Sequence, residues 1–173
     1  MKNSKLKCNF KVIFVEPEIE GNIGFMARIM KNFGFTELIL VNPKTSIGDE
    51  AKAFAMHGRD ILENAKIVQS LDKAIENADL IIGTTAVKGG DYNPLRITVS
   101  PKELSGLCNV SGTVAILFGR ESKGLTNEEL DKCDVLVNIP SSPIYPTLNV
   151  SHSAAIVLYE LFTAFQTSPS RFR

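Results

Sequence analysis

The sequence contains little that could hold a metal ion or form a disulfide framework. It has three cysteines (Cys8, Cys108 and Cys133), two histidines and no tryptophan. The odd number and wide spacing of the cysteines argue against disulfide pairing, and the cysteines and histidines do not cluster as zinc ligands do. We therefore expect reduced thiols, no metal ion and a cytoplasmic protein.

Excess charge and long apolar runs are also missing. Nineteen basic residues balance nineteen acidic ones, so the net charge does not indicate a nucleic-acid partner. Apolar runs such as 11–15 and 154–158 are far shorter than the roughly 20 residues that cross a bilayer. The N-terminus lacks the apolar region of a secretory signal. We expect a single domain over residues 1–173, outside any membrane.

Several common catalytic motifs are absent from the sequence. It contains no Gly-x-x-x-x-Gly-Lys-Ser/Thr phosphate loop and no Gly-x-Gly-x-x-Gly dinucleotide fingerprint. Gly-x-Ser-x-Gly, the nucleophile elbow of α/β-hydrolases, is missing as well. Nucleotide-hydrolysing, NAD-dependent and serine-hydrolase functions therefore lose support.

Apolar runs rich in β-branched residues predict six short strands. They are Val12–Val15, Leu38–Val41, Ile67–Val68, Leu80–Ile82, Val114–Phe118 and Val135–Ile139. The runs are nearly continuous rather than alternating, which favours strands buried on both faces of a parallel sheet. Capping-box patterns at 100–103 and 126–129 predict helix starts, and 86–98 is the one long predicted loop. Alternating strand and helix patterns predict an α/β sandwich.

Two predicted helices carry more apolar surface than one buried face needs. The apolar stripe of the first consists of Ile23, Met26, Ala27, Met30 and Phe33. Arg28 points about 140° away from Ile23, at about 100° per residue. The second helix, 150–165, is apolar on nearly every side, so we expect one side to lie in a subunit interface. We predict a homodimer; the alternative is that both helices are central to the core of a monomer.

Three polar turns follow apolar runs, at 16–24, 118–125 and 147–151. Ligands of open α/β sheets bind outside the carboxyl ends of the strands, so these turns can converge on one ligand. In the first turn, the amide groups at the start of a helix could bind an anion such as phosphate. Asn22 is a candidate contact or only an N-cap residue. Arg28 could bind a phosphate or form a surface salt bridge.

The second and third turns add further candidates. Gly119 would allow a ligand to approach the backbone closely. Glu121 could hydrogen-bond a ligand, position a partner or only cap the following turn. The segment 140–146 contains three prolines and is therefore restricted, and it leads to Thr147–Asn149 at the start of the last helix.

The motifs in these turns resemble those of one family. The sequence reads Glu-Pro-Glu-x-x-Gly-Asn-Ile-Gly-x-x-x-Arg-x-x-x-x-Phe-Gly, then Phe-Gly-Arg-Glu-x-x-Gly-Leu-Thr, then Leu-Asn-Val-Ser. This order is similar to the SPOUT RNA 2′-O-ribose methyltransferases of the TrmH/TrmJ-like branch, over nearly the whole chain. The resemblance implies a parallel α/β/α sandwich with a C-terminal deep trefoil knot (the SPOUT, or α/β-knot, fold). It also implies S-adenosyl-L-methionine bound in that knot, and a homodimer.

The resemblance also assigns roles to particular residues. Arg28, Asn22 and Glu121 are the expected catalytic residues, and the first two match positions that meet the RNA phosphate and the target ribose. The expected cofactor-binding residues are Thr84, Thr85, Ala86, Phe118, Gly119, Glu121, Ile139, Thr147, Leu148 and Asn149.

The implied reaction transfers a methyl group from a sulfonium to a ribose 2′-oxygen, which requires a proton acceptor as attack begins. Arg28 is the usual candidate in similar proteins, although a guanidinium stays protonated. Arg28 could instead hold the phosphate and orient the ribose, with Glu121 as the acceptor. The sequence leaves both roles open.

Similarity favours a tRNA substrate, with a pyrimidine at position 32 of the anticodon loop as the target. Ribosomal RNA is the alternative substrate, and a catalytically idle RNA-binding or cofactor-binding protein is the alternative class. Thr147 stands where similar proteins commonly have serine, and Arg96 is the first arginine after Thr85. The sequence stops at Arg173, without the C-terminal RNA-binding extension common in the TrmJ branch. We therefore expect RNA contacts from the catalytic domain, unless the extension lies outside this sequence.

Overall fold

A parallel sheet forms the centre of the molecule. The computed structural model describes residues 8–86, 97–107 and 111–166. Its strands are β1 (Cys8–Val15), β2 (Glu37–Val41), β3 (Lys66–Val68), β4 (Leu80–Thr85), β5 (Thr98–Val99), β6 (Gly112–Phe118) and β7 (Val135–Asn138). They lie in the order β3-β2-β1-β6-β4-β7-β5, and each pair of neighbours is parallel. The parallel sheet and the six predicted strands are confirmed, and β5 is an additional strand.

Helices cover both faces of this sheet. They are α1 (Glu20–Phe33), α2 (Asp49–Ala55), α3 (Arg59–Glu63), α4 (Leu71–Ile75), α5 (Pro101–Leu107), α6 (Asn127–Leu130) and α7 (Val150–Gln166), with a 3-10 turn at Met56–Gly58. One face packs against α1, α2, α3, α5 and α7, and the other against α4 and α6. The predicted α/β/α sandwich is therefore confirmed.

The central strands are buried on both faces, as their continuous apolar runs predict. Phe14 of β1 and Phe118 of β6 point into the core on the α1 side. Their neighbours Ile13 and Leu117 point into the core on the α4 side. All four side chains have no exposed surface, because successive residues of a strand face opposite sides of the sheet.

Helix α1 buries the predicted stripe but begins earlier than its Gly-Asn sequence suggests. Ile23, Met26 and Met30 are fully buried, whereas Arg28 is exposed. The helix begins at Glu20 with Ile19 at the N-cap, so Asn22 lies inside the helix and is not its N-cap residue. Burial at the start of α1 therefore places the Asn22 side chain among other polar groups rather than in solvent.

Helix α7 has a buried side and an open side. Val157, Leu158 and Leu161 have no exposed surface, but Ile156 is 37% exposed and Tyr159 is 50% exposed. The side of α7 that carries Ile156 and Tyr159 is therefore not buried in the core of the single chain.

Both predicted capping boxes are present. The Glu103 carboxylate accepts a hydrogen bond from the Ser100 amide at 2.8 Å, and Thr126 and Glu129 cap α6 reciprocally. Most of the predicted loop 86–98, residues 87–96, lies outside the described residues, and Thr98 already belongs to β5. In the described part of the chain, no helix is long and apolar enough to span a bilayer.

Candidate functional site

The carboxyl ends of four neighbouring strands define the candidate site. In the sheet these strands follow one another as β1, β6, β4 and β7, and they are parallel. With about 4.8 Å between neighbours, the four ends span about 14 Å. Glu16, Gly119, Ala86 and Ile139 are the residues that follow them. The first two predicted turns therefore lie side by side, together with the ends of β4 and β7.

Glu121 is the central acceptor of this site. Its carboxylate accepts hydrogen bonds from the backbone amides of Glu18 (2.8 Å) and Ile19 (3.1 Å). It also accepts one from Nδ2 of Asn22 at 3.1 Å. The amide groups that the sequence offers to a phosphate at the start of α1 thus bind a carboxylate of the protein itself. The negative charge of Glu121 suits this position, since a helix N-terminus is partly positive.

The Asn22 side chain extends this network to the third motif. Asn149 Nδ2 lies 3.4 Å from Asn22 Oδ1, a long hydrogen bond across 127 positions of sequence. The other end of the Asn149 side chain, Oδ1, accepts from the amide (2.8 Å) and the hydroxyl (2.7 Å) of Ser151. A directed chain of hydrogen bonds therefore runs from Ser151 through Asn149 and Asn22 to Glu121, and it joins all three predicted motifs.

Arg28 is not part of this network. Its side chain is exposed and forms no hydrogen bond or ion pair with any residue that the structure describes. The alternative of a surface salt bridge is therefore not found within the described chain. Arg28 lies six positions after Asn22 in α1, which amounts to about 9 Å along the helix axis and about 120° around it. Arg28 and Asn22 can therefore contact neighbouring groups of one large ligand, but not the same atom.

The expected cofactor residues lie at the ends of β4, β6 and β7. The Thr84 hydroxyl donates to the Leu117 carbonyl at 2.9 Å, and Nδ2 of the Asn138 side chain donates to the Thr85 carbonyl at 3.0 Å. These bonds fix β4 between its two neighbours. Phe118 is fully buried, so only its backbone could contact a ligand.

Gly119 is required by the protein's own turn. A Cβ atom there would lie 2.2 Å from the carbonyl carbon of Gly124 and 2.3 Å from the Leu125 nitrogen, far inside van der Waals contact. The predicted reason for this glycine, close approach of a ligand, is thus not needed to explain it. The tight turn nevertheless sets the direction in which Glu121 points.

The strand ends fit the adenosyl group that the resemblance implies. Thr85, Ile139 and Leu148 are half-buried, and Ala86 and Thr147 are exposed. They combine apolar surface suited to an adenine ring with hydroxyl and backbone groups suited to a ribose. Nothing in this group of side chains is charged, which is compatible with a cationic sulfonium nearby.

Arg120, the residue before Glu121, connects the second turn to partly buried carboxylates. Its guanidinium is 8% exposed and forms two parallel bonds to the Glu129 carboxylate, at 2.8 and 2.9 Å. Nε donates to Glu16 at 2.7 Å, and a further bond reaches the Gly124 carbonyl at 3.2 Å. The predicted capping residue Glu129 thus also serves as half of a buried ion pair.

These contacts shift the acid–base properties of the network. The hydrogen bond from Arg120 lowers the pKa of the Glu16 carboxyl, against the opposing effect of burial. Burial raises the pKa of Glu129, but hydrogen bonds from Arg120 and Thr126 outweigh it, and the net pKa lies below its ordinary value. Hydrogen bonding to Glu129 raises the pKa of Arg120. All three groups are therefore charged at neutral pH.

Comparison with known proteins identifies the family. The model of the SpoU rRNA Methylase family matches residues 9–159, which is most of the chain. The chain belongs to the SpoU methylase family. The resemblance to the SPOUT RNA 2′-O-ribose methyltransferases of the TrmH/TrmJ-like branch is thereby confirmed.

Two curated SpoU relatives are similar over most of the chain. It is 49% identical over 153 residues to tRNA (cytidine-2′-O-)-methyltransferase TrmJ of Methanocaldococcus jannaschii, covering 88% of this chain and 66% of the relative. It is 42% identical over 161 residues to tRNA (cytidine/uridine-2′-O-)-methyltransferase TrmJ of Photorhabdus laumondii, covering 91% and 65%. The chain therefore spans just under two thirds of the length of these relatives.

A solved structure shares the fold. A probable methylase family protein from Haemophilus influenzae superimposes with a TM-score of 0.86 at 35% identity. The match covers 97% of this chain and 73% of the other. The described sheet and helices are therefore shared with this probable methylase family protein.

Sequence reasoning missed four residues that support the site of this SpoU methylase: Glu16, Glu18, Arg120 and Glu129. All belong to the quoted motifs or to the predicted capping box. Their pairing is invisible in sequence because Arg120 and Glu16 are 104 positions apart. The one available signal is the arginine directly before Glu121 at the end of a buried strand, where a charge needs a partner.

Proposed function

We propose that this chain is an S-adenosylmethionine-dependent enzyme that methylates a ribose 2′-oxygen of tRNA. The observation that carries the proposal is the hydrogen-bonded chain from Glu121 through Asn22 to Asn149, because it joins three separate SpoU motifs at one edge of the sheet. Both curated relatives are named as tRNA 2′-O-methyltransferases, which supports the same reaction class and substrate.

Asn22 is suited to orient the attacking hydroxyl. When bound, the cofactor supplies a methyl group on a sulfonium. The ribose 2′-oxygen has to face this methyl group. Asn22 Oδ1 uses one lone pair in the long bond to Asn149 and keeps the other for a hydroxyl proton. Asn149 likewise keeps a second N–H for a ribose oxygen. Holding the hydroxyl in line contributes to the rate by orientation rather than by new bonds.

Glu121 acts through Asn22 in this proposal. Its carboxylate already accepts three hydrogen bonds, so protonating it would disrupt the start of α1. We therefore assign Glu121 to fixing the Asn22 amide, in preference to accepting the ribose proton. That proton passes to solvent water as the 2′-oxygen gains the methyl group. Arg28, exposed on the same helix, binds a neighbouring RNA phosphate through its planar guanidinium.

The proposed cofactor pocket consists of the residues at the ends of β4, β6 and β7 and before α7. They are Thr84, Thr85, Ala86, Phe118, Gly119, Glu121, Ile139, Thr147, Leu148 and Asn149. As the SPOUT resemblance implies, we place this pocket in a C-terminal deep trefoil knot. The position of β7 between β4 and β5 supports this placement. A tRNA substrate also favours a cytoplasmic location.

A homodimer is proposed through α1 and α7. The rings of Phe33 and Tyr159 meet at 5.9 Å, so the two helices form one continuous surface. Phe25 (37%), Ile156 (37%) and Tyr159 (50%) are exposed on these helices. Large exposed apolar side chains on two packed helices are typical of a subunit interface.

Methyl transfer to RNA is the direct test of the proposed function. The purified chain is incubated with radiolabelled S-adenosylmethionine and unmodified tRNA, and the label is mapped by nuclease digestion. We expect label on a ribose 2′-oxygen, at a pyrimidine at position 32 of the anticodon loop. Arg28→Ala should abolish transfer and keep cofactor binding, whereas Lys73→Ala, an exposed cation on α4, should behave as wild type.

Two other outcomes would replace this proposal. Label on ribosomal RNA alone would favour the rRNA substrate that the description of the matched family names. Cofactor binding without transfer to either RNA would indicate an idle binding protein.

A further inference from the structure

Glu18 and Ser122 form a second contact beside Glu121, running in the opposite direction. The Glu18 carboxylate accepts hydrogen bonds from the Ser122 amide at 3.0 Å and from the Ser122 hydroxyl at 2.9 Å. The Glu18 amide in turn donates to Glu121 at 2.8 Å. The segment before α1 and the turn after β6 therefore each bind the other through one side-chain carboxylate. We refer to Glu18 and Ser122 as the Glu18–Ser122 clasp.

The clasp holds the free end of the turn that carries Glu121. At its base the turn is closed by backbone hydrogen bonds between Arg120 and Gly124, at 2.8 and 3.2 Å. Ion pairs with Glu16 and Glu129 hold the Arg120 side chain in place. Ser122 lies at the exposed tip of the turn, and within the described chain its hydrogen-bond partner is Glu18. The clasp is thus the contact that sets the tip against the start of α1.

The position of Glu121 determines the orientation of Asn22. One carboxylate oxygen of Glu121 is shared by the Ile19 amide and Nδ2 of Asn22, both at 3.1 Å. With Nδ2 held in this way, Oδ1 of Asn22 faces Asn149. A small movement of the turn would therefore rotate the amide and withdraw Oδ1 from its place.

We propose that Glu18 and Ser122 are positioning residues for methyl transfer, which act through Glu121 on the orientation of the Asn22 amide. The inference rests on the proposed function. Neither residue touches the reacting atoms. Both are exposed, and exposed hydrogen-bonded contacts contribute little to global stability, so their loss should affect catalysis far more than folding.

A graded set of variants tests the clasp. Ser122→Thr keeps both hydrogen bonds, Ser122→Ala keeps only the one from the amide, and Glu18→Ala removes both. We expect kcat for tRNA methylation near wild type for Ser122→Thr, and lower by about three- to tenfold for Ser122→Ala. For Glu18→Ala we expect a loss of about 10- to 100-fold, because small misplacement of an orienting group is costly.

The same variants give readouts that a purely structural role would not move. We expect KM for tRNA, cofactor binding by calorimetry and the melting temperature to stay close to wild type. The side-chain amide NMR signals of Asn22 should shift in Glu18→Ala and recover in Ser122→Thr. Glu37→Gln is the matched control, since Glu37 accepts a comparable bond from Lys66 at 2.9 Å at the opposite edge of the sheet.

Each contrary outcome has a distinct meaning. Wild-type kcat in Glu18→Ala, or an unchanged Asn22 signal, would overturn the positioning role while leaving the proposed function intact. A loss of kcat matched by unfolding would make the clasp merely structural. Tighter tRNA binding in Glu18→Ala would mean that the carboxylate blocks a phosphate site. Absence of methyl transfer by the wild-type chain on any RNA would refute the proposed function, and this inference with it.

Discussion

Removal of Arg120 should be costly to the fold. Arg120 is 8% exposed and neutralises two carboxylates, Glu16 and Glu129. Its loss removes the ion-pair partner of Glu129 and leaves Glu16 with only the longer contact to Lys44, at 3.6 Å. We expect Arg120→Ala to lower the free energy of unfolding by about 3–5 kcal/mol, as breaking a buried ion pair does. Urea denaturation measures this difference.

An exposed ion pair provides the comparison for this prediction. Lys73 and Glu76 lie 3.3 Å apart on the surface, with most of both side chains in solvent. Lys73→Ala should change the unfolding free energy by less than about 1 kcal/mol. Equal losses in Arg120→Ala and Lys73→Ala would show that the Arg120 network does not stabilise the fold.

The same network predicts a particular loss of stability in acid. The pKa values of Glu16 and Glu129 are lowered in the folded chain, so the unfolded chain binds more protons. Their contribution is fully present above the ordinary value of 4.5 and is lost as the pH falls through the lowered values. Denaturation curves from pH 7 to pH 3 should show a shallower decline for Glu16→Gln than for wild type. Glu63→Gln, at an exposed position on α3, should follow the wild-type curve.

At the scale of elements, the contact between α1 and α2 depends on Gly24. A Cβ atom at Gly24 would lie 2.4 Å from the Ala51 carbonyl oxygen, so a larger residue has to push the two helices apart. We expect Gly24→Ala to lower the unfolding free energy by about 1–3 kcal/mol, as overpacking does.

Gly106 in α5 is the glycine to compare with Gly24, because a side chain fits beside it. A Cβ atom there would meet no atom of the described residues within 4 Å. Gly106→Ala should raise the unfolding free energy by up to about 1 kcal/mol, because alanine favours the helix. The same urea titrations measure both changes, and a destabilised Gly106→Ala would contradict this explanation.

The sequence predicts a strand well where both of its faces are buried. It predicts an element poorly where the element depends on pairing with a distant part of the chain. The apolar runs of β1 and β6 can be recognised as strands without knowledge of their partners, because both faces of each strand are buried. Strand β5 has only Thr98 and Val99, too few residues for a pattern, and exists because it pairs with β7. The start of α1 is likewise set by Glu121, 102 positions from Ile19.

For the site, the sequence predicts that the turns with Asn22, Glu121 and Asn149 converge, and these three side chains form one hydrogen-bonded chain. Their catalytic and cofactor-binding roles stay predictions. Hydrogen-bond partners are a different matter, because they depend on distances across the sheet. That Glu121 occupies the amides at the start of α1, and that Glu18 binds Ser122, follow only from coordinates. Composition could not show which carboxylate faces which turn.

At the scale of the whole molecule, the open side of α7 should determine the oligomeric state. A charge at Tyr159 would have to be desolvated in the proposed interface. We therefore expect Tyr159→Lys to convert a dimer into a monomer, measured as halved mass by light scattering. Ile67→Lys is the control, because Ile67 is 54% exposed on the edge strand β3 and should leave the mass unchanged. A monomeric wild type would refute the homodimer.

The place of β6 in the sheet has a consequence for how the chain emerges from the ribosome. Residues of β1 appear first, yet one of their two neighbouring strands, β6, is translated roughly a hundred residues later. At about 5–20 residues per second, β1 therefore waits about 5–20 s with one edge unpaired. Throughout that interval the nascent chain presents a bare, strongly apolar strand edge to its surroundings. Chaperone protection during synthesis is thus more important for this architecture than for one in which neighbouring strands are translated in succession.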